Sequence, residues 1–125
     1  MSIQQAKEND FLSIEKSVMK YLEKEINLLT MIGSIEMFAD VTFKDDETGF
    51  YNFLINSIGD IELLYFMKGE EVLYHNEVMT LVKKFQEELK KYKSDFVNNG
   101  KAENWRSWEL DLKKNEFKEE KMEVI

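Results

Sequence analysis

The chain has 125 residues, near the commonest size of a single domain and enough to hide roughly two-thirds of its unfolded surface. An apolar content of 43% with 13% aromatic residues excludes a disordered chain, despite 34% charged residues. The absence of cysteine excludes a disulfide scaffold, and a net charge of −8 sets the surface against phosphate backbones, so nucleic-acid binding is not expected.

The first residues, MSIQQAKEND, are polar and lack an apolar h-region, so no signal peptide is expected. A first helix is predicted over about residues 10–30, where Phe11, Ile14, Val18, Leu22 and Ile26 recur at helical spacing. Leu12, Met19 and Leu29 widen that stripe. Asp10 is the expected N-cap, with an earlier start through Ser2 and Gln5 as the alternative, and Gly33 with Ser34 marks the end.

From residue 35 the pattern alternates. Ile35, Met37, Ala39, Val41 and Phe43 share one face of a predicted strand, with Glu36, Asp40, Thr42 and Lys44 on the other. DDETG at 45–49 reads as a turn, GFYNFLIN at 49–56 as the returning strand, SIGD at 57–60 as a second turn and IELLYFM at 61–67 as a third strand. KGEE at 68–71 turns the chain into a short segment, VLYH, at 72–75. None of the apolar runs is long enough to span a membrane, and a cytoplasmic protein is expected.

The clearest element is a helix from about Glu77 to Asn98, where Val78, Leu81, Val82, Phe85, Leu89, Tyr92 and Phe96 trace one continuous face. Asn76 is its expected N-cap and Gly100 its expected stop. WRSWELDL at 105–112 then alternates through Trp108, Leu110 and Leu112, KKNE forms a turn, and FKEEKMEVI is left open between strand and helix. The expected fold is therefore α+β: an antiparallel sheet of four to five strands, a meander plus a C-terminal hairpin, with two amphipathic helices packed on one face in the order α-β-β-β-α-β-β.

Chemistry is sparse along this chain. His75 is the lone histidine and has no cysteine or second histidine to complete a zinc site. No G-x-S-x-G elbow, G-x-G-x-x-G loop or P-loop occurs, and Asp45, Asp46 and Glu47 lack the spacing of a calcium loop. Neither an enzyme nor a cofactor or metal is expected. What stands out is charge: between Asp40 and Glu71 eight acidic residues face only Lys44 and Lys68. Such a field attracts a basic protein partner and speeds its encounter.

The segment FVNNGKAENWRSWELDLKKNEFK resembles the C-terminal half of the YezG-like immunity proteins, in which a long helix leads through a glycine to a tryptophan, an alternating strand and a lysine-rich return strand. Trp105 matches the family tryptophan, Leu110 and Leu112 its alternating positions, and Phe117 the start of its return strand, within residues 89–118. Asn104 departs from the family's proline, Asn115 from its turn glycine, and KMEVI from its aromatic ending. The resemblance implies a cytosolic antitoxin that binds and blocks a secreted toxin, often a nuclease, by protein–protein contact. Under it the expected partner contacts are Asp45, Asp46, Glu47, Asp60, Glu70, Glu71, Trp105, Glu109 and Asp111. A small acidic secretion chaperone for an effector protein is the alternative, and the sequence leaves monomer and homodimer open.

Overall fold

Helical spacing governs every described segment between residues 3 and 96. The computed structural model describes the backbone of residues 3–68, 74–96, 107–111 and 116–120, and side-chain surroundings within 5–68 and 74–96. The elements are α1 (Ile3–Leu22), α2 (Leu28–Phe38), a π-helical segment (Ala39–Phe43), α3 (Thr48–Lys68), α4 (Asn76–Lys90) and the strands β1 (Ser107–Asp111) and β2 (Glu116–Glu120).

The expected first helix is two helices. Its stripe buries Phe11, Ile14 and Val18 and half-buries Leu22 and Ile26, Tyr21 is buried beside it, and Leu12, Met19 and Leu29 stay exposed. After Leu22 the chain leaves α1 through Lys24, whose φ of 63° is in the left-handed region. Lys24 N–H donates to Tyr21 O at 2.9 Å and Glu25 N–H to Lys20 O at 2.8 Å, the paired bonds of a Schellman ending. Asn27 then caps α2, its side-chain oxygen accepting from Thr30 N–H at 2.8 Å. Gly33, expected as a stop, lies inside α2.

The strands expected over residues 35–67 do not form, which overturns the α+β assignment, while the expected turn KGEE and segment VLYH fall mostly outside the described residues. Ile35, Ala39 and Phe43 are fully buried, while Met37 and Val41 between them stand 54% and 78% exposed. Residues two apart on a helix lie about 200° round the axis, so alternate residues fall on opposite sides. Spacing of four carries each side chain about 40° past a full turn. The wider π turn, closed by Lys44 N–H to Ala39 O at 3.0 Å, keeps Phe43 aimed at the core. The supposed second and third strands are one helix, α3, whose buried residues Phe50, Phe53, Leu54, Ser57, Ile58, Ile61, Leu64 and Tyr65 recur at steps of one and three. Gly59, read as a turn, is exposed in mid-helix.

Downstream, the expected stripe is buried throughout, Val78 to Leu89 on α4 and Tyr92 and Phe96 just beyond it. Its cap is His75 rather than Asn76: Nδ1 of His75 accepts from Glu77 N–H at 3.1 Å. The α-helix ends at Lys90 and helical turns carry the chain on to Phe96. The backbones of β1 and β2 pair antiparallel, with Trp108 opposite Glu119 and Leu110 opposite Phe117. Among the described residues these two short strands are all the β structure, far from a four- to five-stranded sheet.

α1 packs on α2 and α4, and α3 packs on α2, α4 and the π-helical segment. Phe50 is the hub of the core, its ring 4.7 Å from Phe96, 4.9 Å from Tyr92, 5.0 Å from Phe43 and 5.9 Å from Phe11. Aromatic contacts of this kind add about 0.5–1.5 kcal/mol each beyond the area they bury. Among the described residues no helix is long and apolar enough to cross a membrane.

Candidate partner-docking surface

The aromatic core fixes the π-helical segment through Phe43, whose ring lies 5.0 Å from Phe50 and 5.1 Å from Phe96, and that placement decides what faces outward. Met37 and Val41 are four residues apart on the outer side of α2 and its π continuation, two aliphatic side chains held in water. Exposed carboxylates adjoin them in the chain. Glu36 and Asp40 are exposed on the same stretch, and Asp45 and Asp46 are exposed just beyond it. Tyr51 donates its hydroxyl to Asp40 Oδ1 at 2.9 Å. That hydrogen bond, with desolvation and the charges of Asp40 and Glu36, holds the phenol above its ordinary pKa.

On the α1 side of Val41 lies an open cleft of about 320 Å3 lined by Ala6, Lys7, Asp10, Val41, Thr42 and Asp46. Thr42 Oγ1 donates to Asp10 Oδ2 and ties the π-helical segment to α1. Lys7 and Glu47, each only 8% exposed, form an ion pair with Nζ 3.0 Å from Oε1, and Asp46 Oδ2 lies 4.0 Å from the same Nζ. The neighbouring Glu47 carbonyl accepts from Tyr51 N–H at 2.8 Å, so this residue also starts α3. The pair joins α1 to the turn that carries Asp45 and Asp46.

The structure thus divides the acidic turn. Asp45 and Asp46 face solvent, whereas Glu47, expected as a partner contact, is turned inward to Lys7. Asp60 is half-buried on α3, outside the group that lines the cleft. Glu70, Glu71 and Trp105 lie outside the described residues. Glu109 and Asp111 are placed as backbone on β1, opposite Lys118 and Glu116.

Sequence reading missed Met37, Val41, Lys7, Asp10 and Thr42. The signal for the first two was present: continuing the stripe Leu28, Met31, Ile32 and Ile35 through Ala39 and Phe43 leaves Met37 and Val41 outside. Among the described residues no group of three or more His, Cys, Asp or Glu is placed to hold a metal ion. No protein-family model matches the chain, and neither a curated protein nor a solved structure matches it.

Proposed function

We propose that this chain is an immunity protein: it binds a basic protein toxin, a nuclease being the first candidate, and neutralises it by covering its surface. The observation that carries this reading is the exposed Met37–Val41 pair set among Glu36, Asp40, Asp45 and Asp46. Apolar anchors inside a charged rim are the composition of a protein–protein contact, the anchors supplying affinity and the charges supplying rate and orientation. The net charge of −8 and the resemblance within residues 89–118 support the same reading.

A secretion chaperone has one observation of its own in support. Leu63, Phe66 and Met67 are exposed at the C-terminal end of α3, at the spacing of one helix face. Co-expression with the products of adjacent genes separates the two. A toxin gene product that stops growth alone, is tolerated with this chain and co-elutes with it on size exclusion is the expected result. Persistent toxicity with no complex refutes the immunity reading, and co-elution with a non-toxic secretion effector replaces it with the chaperone.

A further inference from the structure

We infer that the Met37–Val41 face and the adjoining cleft together dock a basic amphipathic segment of a partner protein, with one lysine or arginine side chain of that segment held in the cleft. This rests on the reading of the chain as a binder of a basic protein, and it names the surface and the chemistry that fits it.

Four features select the occupant. The cleft, about 320 Å3, is at the low end of small-ligand pockets, which run about 300–1,000 Å3, and suits a single long side chain. Its walls are mixed: Ala6, Val41 and the stem of Lys7 offer hydrocarbon to an aliphatic stem, and Asp10 and Asp46 offer carboxylates to its charged end. Lys7 does not oppose a cation there, because Glu47 at 3.0 Å already balances its charge. The apolar step beside the cleft, Val41 with Met37, then meets the aliphatic face of the same segment.

Charge also excludes the competing occupants. A second copy of this chain would bring another net −8 against the same carboxylates, and a nucleic acid would bring phosphates. A basic segment gains on both counts, through attraction at the rim and removal of two exposed aliphatic groups from water.

The test is an amide chemical-shift titration of the whole chain with a synthetic helical peptide carrying a leucine face flanked by lysine and arginine. A glutamate-substituted version of the peptide is the control. The basic peptide should move the amides of Ala6, Lys7, Asp10, Met37, Val41, Thr42 and Asp46 most. Val41→Ser and Asp46→Asn, both at exposed positions that leave the core intact, should each weaken binding about tenfold. Glu23→Gln removes the same unit of charge about 20 Å along α1 from Asp10 and should leave affinity unchanged. Shifts centred on Leu63–Met67, equal weakening by Glu23→Gln, or no binding of the basic peptide each overturn the inference. Full neutralisation of the toxin by the Val41→Ser/Asp46→Asn double variant overturns the surface and leaves the immunity function standing. A wild-type chain that neutralises no toxin overturns the function, and the peptide titration still judges the surface.

Discussion

Removing one partner of the Lys7–Glu47 pair should be among the most damaging polar changes available in this protein. Both side chains are about nine-tenths buried and 3.0 Å apart. An unpaired charge left at such a site costs about 3–5 kcal/mol, whereas replacing both ions by apolar groups of similar volume is close to neutral. The two single changes are not equivalent. Lys7→Met leaves Glu47 and Asp46 facing each other without a cation and should cost the upper part of that range. Glu47→Leu leaves Lys7 with Asp46, 4.0 Å away and largely exposed, and should cost about 3 kcal/mol. With a urea slope of about 1–3 kcal/mol per molar, a loss of 3 kcal/mol lowers the unfolding midpoint by about 1–3 M. The double variant Lys7→Met/Glu47→Leu should recover most of the loss, giving a coupling of about 2 kcal/mol or more in a double-mutant cycle followed by circular dichroism. Single variants within about 0.5 kcal/mol of wild type, or a double variant as unstable as the two losses added, would refute the buried pair as the tie between α1 and the start of α3.

Two further changes test the fold directly. Gly59→Ala should raise stability by about 0.5–1 kcal/mol, because the position is mid-helix and an added Cβ meets nothing within 4 Å; a loss in thermal melting would favour a turn there instead. Tyr21 is fully buried with no partner for its hydroxyl among the described residues, and burial pushes its pKa from 10.0 to about 12, with the charges of Tyr74 and Tyr65 adding. Because burial disfavours the phenolate, the wild-type chain loses stability as pH rises from 10.0 through about 12, and a phenylalanine at this position does not. Tyr21→Phe should therefore be about 1 kcal/mol more stable at pH 7 and gain further on wild type between pH 10 and 12; a stability gap that stays constant from pH 8 to 12 would refute this.

The residues of α4 and α1 show what local pattern decides. Val78, Leu81, Val82, Phe85, Leu89, Tyr92 and Phe96 permit one periodicity, and their burial follows from it. Phe11, Ile14 and Val18 behave likewise. The acidic excess is equally a property of the sequence, since it needs no geometry to be counted.

Residues 35–43 show where local pattern fails. A set spaced by two contains a set spaced by four, so Ile35, Ala39 and Phe43 satisfy a strand and a helix at once. β-branched and aromatic residues in 49–67, with Gly59 between them, tilted the reading towards strands, although steps of one and three ran through it unbroken. Tertiary packing settled the choice: with these segments helical, Phe43, Phe50 and Phe96 meet in one aromatic core. The candidate site has the same origin. Lys7 and Glu47 are separated by 40 positions and Asp10 and Thr42 by 32, distances over which periodicity carries no information. The sequence by itself determined which faces of α1 and α4 turn inward and that the chain is acidic. Only the tertiary structure decided that Glu47 serves the fold, that Asp46 serves the surface and that Val41 stands in water, because those outcomes depend on which helix packs beside which.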